Sequence, residues 1–161
     1  MALQLLIRPF QTSDAISLFQ VFYSAIHQTA IHDYSTEQCN AWAPKDMDMT
    51  HWKEQMTCLK PFVVEANQRI VGYADLQTNG YIDHFFIHHE FAHQGIGSKL
   101  MHHLIQHARK IELGELTADV SKTAEAFFTS HGFAVMTRQF PVRNGLTLPN
   151  AAMKKVLSDA F

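Results

Sequence analysis

The chain has 161 residues, of which 47% are hydrophobic and 17% are charged, so it can bury one sizeable core and is too short to suggest two ordinary domains. The formal net charge of -2 at pH 7 disfavours a general attraction to nucleic acid or to anionic membranes, so any phosphate binding must come from a local site. We therefore expect a single domain over residues 1–161 that binds neither nucleic acid nor a membrane.

The first third of the chain predicts one strand and then helices. Residues 5–9 form the strand, and apolar residues then recur at helical spacing as far as Ile26. A shorter helix ends near Trp42, and residues 50–56 predict one or two further helical turns. The residues that can cap the first two of these helices are Thr12 or Ser13, and Ser35 paired with Gln38 at the spacing of a capping box.

The middle of the chain predicts three strands. Residues 62–66 and 70–76 are rich in β-branched and aromatic residues and are separated by a short polar turn, which is typical of a hairpin. Asn79 and Gly80 form a pair that favours a tight turn, and residues 81–88 supply the next strand. The sequence therefore predicts that three successive strands form an antiparallel meander.

The last part of the chain alternates helices with strands. Residues 97–110 carry apolar side chains on one face, as expected of a helix packed on a sheet, and Gly114 is expected to end it. The later elements are a strand over 115–120, a helix that Ser121 can cap, a left-handed stop at Gly132, a strand that opens at 133–135 and a final strand over 152–156. This order predicts an α/β fold, α+β by some schemes, with a mixed, mostly antiparallel central sheet of about six to seven strands flanked by helices.

The turn around Gly95 and Gly97 joins a strand and a short loop to the helix of residues 97–110. The first turn of a helix leaves N–H groups unsatisfied, and the helix dipole adds a positive end, so anions bind there. The two glycines let a diphosphate approach the backbone closely. The Ser98-Lys99 order does not fit a P-loop, and Leu100 stands where a dinucleotide fold needs a third glycine. Taken alone, the tripeptide predicts a flexible helix start equally well.

In its context, Gln94-Gly95-Ile96-Gly97 resembles the central motif of the GNAT superfamily of acyl-CoA-dependent N-acetyltransferases, with Gly95 eight residues after a strand that ends at Ile87. Residues 118–133, with Gly132 and Phe133 at the usual spacing, resemble the family's second coenzyme-binding segment. The resemblance implies a GNAT-like fold, acetyl-CoA as co-substrate and no metal. The residues that it places at the coenzyme are Phe86, Ile87, His88, His93, Gln94, Gly95, Ile96, Gly97, Ser98, Lys99, Ser121, Ala124, Phe127 and Phe128.

Two positions depart from the family pattern. Ala92 stands where the family has Gln or Arg, so one side-chain contact to the phosphates is absent. Phe128 stands where many members have the Tyr that protonates the departing thiolate, and that role cannot be carried over. Ser121 or an ordered water could donate the proton instead, although Ser121 could equally serve only as a helix cap.

The resemblance further implies direct transfer in a cleft that opens after the strand ending at Ile87, with a backbone N–H near Phe86 or Ile87 stabilising the developing oxygen charge. The attacking amine must be neutral, which requires a base or a water wire. Asp83 is our first candidate for the base, because strand alternation puts it on the face of Tyr81. Tyr81, His84 and Asp119 are weaker candidates, and Asp83 could also be an ion-paired or rim carboxylate.

The N-terminal aromatic region forms one wall of the acceptor site in the family, and from it we expect His27, Tyr34 and Trp42 to contact the substrate; core packing is the alternative for each. The resemblance predicts acetyl transfer from acetyl-CoA to a primary amine of a small molecule or peptide. A coenzyme-binding module that has lost activity and acts as a sensor or assembly partner is the alternative. A homodimer is left open.

Histidine and cysteine usage gives no metal signal. The eleven histidines include His84, His88, His89 and His93 and the helical pair His103 and His107, but no His-Glu-x-x-His arrangement occurs and no cysteine joins them. Two cysteines are too few for a disulfide scaffold, and no apolar run approaches the ~20 residues that cross a bilayer. We expect reduced thiols and a cytoplasmic location.

Overall fold

The computed structural model describes residues 3–157. Within them the strands are β1 (Leu5–Pro9), β2 (Phe62–Ala66), β3 (Arg69–Ala74), β4 (Tyr81–Ile82), β5 (Phe85–Ile87), β6 (Glu115–Ser121), β7 (Ala134–Gln139), β8 (Val142–Arg143), β9 (Leu146–Thr147) and β10 (Asn150–Val156). The α-helices are α1 (Ala15–Ser24), α2 (Thr36–Trp42), α3 (Met49–Leu59), α4 (Ile96–Lys110) and α5 (Glu125–Ser130), and a π-helical turn, Ala25–Thr29, continues α1.

The central sheet consists of two four-stranded parts that share one interrupted strand. The strand order is β1-β2-β3-β5 in the first part and β4-β6-β10-β7 in the second. β4 pairs with β6 in parallel, and the other pairs in both parts are antiparallel. With β4 and β5 counted as one interrupted strand, the sheet has seven strands, and the predicted mixed, mostly antiparallel sheet flanked by helices is confirmed.

Helices cover both faces of this sheet. Successive residues of a strand point to opposite faces, so Val63 packs into a core with Trp52 of α3, whereas Val64 packs into a second core with Leu104 of α4. The N-terminal helices therefore lie on one face and α4 on the other. No helix among residues 3–157 has the length and apolar character that crossing a membrane would require.

Several local signals were interpreted correctly. Ser35 and Gln38 form the expected capping box, in which the Gln38 N–H donates to Ser35 Oγ at 3.0 Å and the Ser35 N–H donates to Gln38 Oε1 at 2.8 Å. The β2–β3 hairpin forms, and Gly132 adopts a φ of 91° after α5. The capping box, the hairpin and the left-handed glycine could all be predicted because each depends only on residues close to one another in the sequence.

Two predicted helix boundaries were wrong. The first helical segment starts with a 3-10 turn whose N-cap is Gln11, and the Gln11 N–H donates to the Asp14 carboxylate at 2.8 Å, so neither Thr12 nor Ser13 caps α1. The left-handed residue that follows α4 is Glu112, with a φ of 61°, and not Gly114 as expected. A non-glycine residue in the left-handed region gave no sequence signal.

The strand predicted over residues 81–88 is interrupted at Asp83 and His84. Its first part, β4, pairs with β6, and only its second part, β5, pairs with β3. The predicted meander therefore consists of β2, β3 and β5. Gly80 makes the approach to β6 possible, because it has a φ of 88° and a Cβ there would lie 2.3 Å from a backbone oxygen of β6.

A buried carboxylate occupies the point of interruption. Asp75, which directly follows β3, is 0% exposed, and its Oδ1 accepts the N–H of Asp83 at 2.8 Å and the N–H of His84 at 2.7 Å. Burial raises the pKa of Asp75 to about 6, although its hydrogen bonds act in the opposite direction. The position where the strand changes partners thus coincides with a charged group inside the protein.

The raised pKa of Asp75 predicts a pH-dependent cost in stability. A carboxyl group that binds its proton more tightly in the folded chain favours folding below the pKa of the unfolded chain, about 4, and this contribution is lost as the pH rises through about 6. Asp75→Asn keeps an oxygen acceptor and stays neutral. We expect it to raise the Tm at pH 8 by about 5 °C and to have little effect near pH 4.

Thermal unfolding of both proteins between pH 4 and pH 8 measures this difference. The exposed Asp46→Asn is the matched control and should give a difference near zero throughout. A gain for Asp75→Asn of equal size at all pH values would show that ionisation of Asp75 is not its cause.

Candidate active site

Two adjoining cavities, with volumes of about 580 and 310 Å³, open where β5 separates from the end of β6. The larger cavity extends towards α2, α3 and the β8–β9 hairpin, and the smaller cavity extends towards the start of α4. The residues that line both cavities are Trp42, Phe85, Phe86, Ser121, Ala124 and Phe128. A reacting group held at this junction would be reachable from either side.

The smaller cavity ends at the glycine turn. Gly95 has a φ of 81° and is the N-cap of α4, so the N–H groups that follow it belong to the first helical turn and have no acceptor within the helix. A Cβ on Gly97 would lie 3.2 Å from the Phe127 ring, so the glycine lets Phe127 pack closely against the start of α4. The arrangement is suited to hold a phosphate group.

Most of the predicted coenzyme residues surround the smaller cavity. Those that line it are Phe86, Ile87, His93, Gly95, Gly97, Ser98, Ser121, Ala124, Phe127 and Phe128. His88, Gln94, Ile96 and Lys99 do not line it: Ile96 is buried in the core, and the His88 Nδ1 accepts the N–H of Glu90 at 3.1 Å. Gln94 and Lys99 are exposed beside the turn.

The sequence missed the wall of the smaller cavity that faces the glycine turn. This wall comes from the π-helical turn at the end of α1 and includes Ala25, Ile26, Thr29 and Ala30. It is tied to the loop after β5, because the N–H of His89 donates to Ser24 Oγ at 2.9 Å. A π-helical turn has no sequence periodicity of its own, so only helical continuity was visible there.

The edge of β5 that faces away from β3 supplies backbone groups to both cavities. The ladder bonds to β3 on either side of β5 come from His84 and His88. Since bonded residues alternate along an antiparallel strand, Phe86 also bonds to β3, whereas Phe85 and Ile87 direct their N–H and C=O groups away from it. Of the two N–H donors that the sequence proposed, only that of Ile87 is directed away from the ladder.

The candidate acid and base residues have different surroundings. Tyr81 donates its hydroxyl proton to Asp119 at 2.9 Å, and Asp119 also accepts from the Gln139 amide at 2.7 Å. Burial, followed by Asp119, raises the pKa of Tyr81 above its usual range. Asp83 is exposed and lines the larger cavity, and within residues 3–157 its carboxylate has no hydrogen-bonding side chain.

His84 lies at the inner end of the larger cavity. Its Nδ1 lies 2.9 Å from the Tyr73 hydroxyl, and its Nε2 lies 3.3 Å from Gln55 Nε2. Burial holds the pKa of His84 well below its usual range, so the imidazole is neutral at pH 7. Two hydrogen bonds and a low pKa make His84 a fixed polar group rather than a strong base.

Ser121 stands at the junction of the two cavities. It is the only one of the six shared residues that carries a hydroxyl group. Its Oγ accepts the N–H of Ala124 at 3.2 Å in the turn that precedes α5. The N-cap of α5 is Ala124 and no side chain caps this helix, so Ser121 does not have the capping role that the sequence suggested, and its hydroxyl proton can be donated elsewhere.

Of the predicted acceptor-site residues, Tyr34 and Trp42 line the larger cavity and His27 does not. The Tyr34 hydroxyl donates to the Pro149 carbonyl at 2.5 Å and accepts the N–H of Lys122 at 2.9 Å. His27 donates from Nε2 to the Ala43 carbonyl at 2.7 Å, away from both cavities. In residues 3–157 no three His, Cys, Asp or Glu side chains are grouped as metal ligands.

The outer wall of the larger cavity comes from the C-terminal hairpin. Phe140, Pro141 and Arg143 line the cavity from this side, and the Phe140 side chain is 68% exposed. The hairpin is held against α2, because the Gln38 amide donates to the Thr147 carbonyl at 2.8 Å. The wall of the larger cavity thus joins two distant parts of the sequence.

Comparison with known proteins agrees with this geometry. A family model of the acetyltransferase (GNAT) domain matches residues 30–157. The chain is 32% identical over 148 residues to the uncharacterized N-acetyltransferase YafP of Escherichia coli K12, which covers 92% of this chain and 93% of that protein.

Two solved structures share the fold. A GCN5-related N-acetyltransferase from Rhodopseudomonas palustris has a TM-score of 0.91 at 28% identity, over 98% of this chain and 99% of that one. The PaiA N-acetyltransferase from Thermoplasma acidophilum, in complex with coenzyme A, has a TM-score of 0.76 at 16% identity, over 96% and 99%. The family match extends over most of the chain, and the chain therefore belongs to the GNAT family of N-acetyltransferases.

Proposed function

We propose that this chain, acting as one acetyltransferase unit, transfers an acetyl group directly from acetyl-CoA to a primary amine of a small molecule or peptide. The observation that carries the proposal is the junction of the two cavities. There the unpaired edge of β5, the Ser121 hydroxyl and the Asp83 side of the larger cavity face one space. Direct transfer brings the amine to the carbonyl carbon of the thioester, so the N–H donor, the hydroxyl group and the base must all adjoin one space.

The smaller cavity is assigned to the coenzyme. The first-turn N–H groups of α4 would bind its pyrophosphate, since Gly95, Gly97 and Ser98 line this cavity at the start of the helix. Ala92 lines the same cavity without a polar side chain, so the backbone supplies the phosphate contacts. The coenzyme-bound structure of PaiA, which shares this fold, supports the same use of the cavity.

The N–H of Ile87 is assigned to the thioester oxygen. It is directed away from β3 at the edge of the cleft, and it belongs to a strand that is fixed by ladder bonds on its other edge. Negative charge develops on this oxygen in the transition state. A donor that is already in place stabilises this charge, because the donor does not have to reorient during the reaction.

Asp83 is assigned as the base that takes a proton from the attacking ammonium, directly or through water. Its carboxylate is exposed to the larger cavity, whereas Asp119 is occupied by Tyr81 and Gln139. Tyr81 itself keeps its proton at neutral pH, because its pKa is raised, and is assigned to holding Asp119 in place. Acceptor binding is assigned to Tyr34 and Trp42 on the opposite wall.

Ser121 is assigned as the donor of the proton that the departing thiolate receives. Phe128, buried beside it, has no hydroxyl group and supplies an apolar surface. Because a thiol is acidic, with a pKa near ~8.5, its thiolate leaves readily and a weak donor suffices.

Release of free thiol from acetyl-CoA in the presence of primary amines tests the proposed activity. We expect turnover with at least one member of a panel of alkylamines, arylalkylamines, amino acids and peptides. Gly97→Leu, which places a side chain against Phe127, is the control and should abolish both coenzyme binding and thiol release. Saturable coenzyme binding without turnover across the panel would contradict the proposal and favour the sensor function.

Replacing Asp83 tests the assignment of the base. We expect Asp83→Asn to lower kcat/KM for the amine by about 10²-fold and to remove the acidic limb of the pH–rate profile, while the Kd of acetyl-CoA stays the same. Asp119→Asn is the matched comparison, since its amide oxygen can still accept from Tyr81. If Asp119→Asn loses the limb and Asp83→Asn keeps it, the base is Asp119.

Replacing Ser121 separates proton donation from a structural role in the turn before α5. General acid–base catalysis usually contributes about 10²-fold or more, but a thiolate leaves readily, so we expect Ser121→Ala to lower kcat by only about 10-fold. We expect Ser121→Thr, which keeps the hydroxyl group, to restore most of the loss. The measurements are kcat from thiol release and Tm from thermal unfolding. A lower Tm at unchanged kcat would leave Ser121 with the structural role alone.

A further inference from the structure

We propose that Asp75 is a positioning residue whose carboxylate, by accepting the N–H groups of Asp83 and His84, keeps β5 apart from β6 and so sets the geometry of the reacting cleft. The inference rests on the proposed function, because it concerns the same cleft. Asp75 lines neither cavity, and it acts through the backbone of the residues that do.

The Asp75 side chain replaces a bond of the β ladder. The Asp75 N–H donates to the His84 carbonyl at 3.1 Å, as an antiparallel pair requires. The return bond of such a pair would run from the His84 N–H to the Asp75 carbonyl. Instead, the His84 N–H donates to Asp75 Oδ1 at 2.7 Å, and the Asp83 N–H donates to the same oxygen at 2.8 Å.

The side-chain bond in place of a ladder bond explains how the strand changes partners. Buried N–H groups need acceptors, and the two residues between β4 and β5 have none in β6. With Oδ1 as their acceptor, β4 can end its parallel pairing with β6 at Ile82, and β5 can begin its pairing with β3 at Phe85. Without it, we expect residues 83 and 84 to extend the pairing to one of the two strands, which narrows the gap that the substrates need.

The two residues held by Asp75 carry side chains of the larger cavity. Asp83 is the proposed base, and His84 forms the polar inner end with Tyr73 and Gln55. One carboxylate oxygen therefore fixes the backbone beneath both groups. A displacement of this segment would move the base relative to the thioester without touching the glycine turn of α4.

The chain retains Asp75 although the group is costly to bury. Asp75 is 0% exposed, and no Lys or Arg in residues 3–157 lies within ion-pair distance of it. Its remaining polar contact is the Gln77 amide, which donates to Oδ2 at 3.3 Å. An unpaired buried charge that bonds the residues of a cleft is expected where function, rather than stability, selects the residue.

The test compares Asp75→Leu, which has similar size and no acceptor, with Asp75→Asn, which keeps the acceptor oxygen. We expect Asp75→Leu to lower kcat/KM for the amine at least 30-fold per coenzyme-binding site, and the Kd of coenzyme A to change less than threefold. Asp75→Asn should keep kcat/KM within fivefold of the wild type. Counting sites by coenzyme binding removes unfolded protein from the comparison.

Amide hydrogen exchange at Asp83 and His84 provides a readout that does not depend on activity. We expect both amides to be protected in the wild type and in Asp75→Asn, and to exchange at least 10-fold faster in Asp75→Leu. Val64→Ala, a core substitution in β2, is the matched control, and it should lower the Tm without changing kcat per site or these two amides.

Three results would overturn the inference: unprotected amides at Asp83 and His84 in the wild type, an Asp75→Leu protein that keeps both kcat/KM per site and the protection of these amides, or an Asp75→Asn protein with kcat/KM reduced more than fivefold. If Asp75→Leu does not fold, Asp75→Ala, which also lacks the acceptor, replaces it in both measurements. If the wild type shows no turnover with any amine, the proposed function fails, and the exchange measurement still decides whether Asp75 holds this segment.

Discussion

Backbone N–H and C=O groups inside a sheet need hydrogen-bond partners, and the segment from Tyr81 to Ile87 obtains them by changing strands. It bonds to β6 through β4 and to β3 through β5, and Asp75 accepts the two N–H groups in between. The cleft exists because of this change, which leaves the edge of β5 that faces away from β3 without a strand partner in residues 3–157. Both cavities lie where the two strands separate.

The two faces of the sheet contribute different chemistry to the cleft. The face under α4 provides a helix start, whose backbone donors are suited to phosphate and need no charged side chain. The face under the N-terminal helices provides aromatic side chains, with Trp42 at the junction of the cavities. The proposed binding of an anionic coenzyme therefore needs no net positive charge on the chain, because the positive potential at the helix start is local and comes from the backbone.

Local signals allowed much of the fold to be predicted from the sequence. The capping box at Ser35, the left-handed Gly132 and the two glycines before α4 each have a physical reason that depends only on neighbouring residues. The order of helices and strands predicted the mixed sheet, whereas the expectation of a coenzyme at the glycine turn came from the resemblance to the GNAT superfamily.

The remaining features depend on contacts between distant residues. The alternation of residues 81–88 is the same whichever strand they pair with, so the sequence could not reveal the break at Asp83. The burial of Asp75 gave no signal, since aspartate near a turn is usually exposed. His27 was expected in the acceptor site because of its helix, but its bond to Ala43 directs it elsewhere.

The C-terminal hairpin that closes the larger cavity has a consequence for how the protein can change. Residues 34–55 and 139–150 contribute the outer walls of that cavity, whereas the glycine turn and its surroundings come from residues 85–98 and 121–128. Substitutions in the hairpin, for example at the exposed Phe140, alter the larger cavity and leave the start of α4 untouched. Under the proposed function, acceptor preference can therefore diverge between close relatives while the coenzyme requirement stays constant.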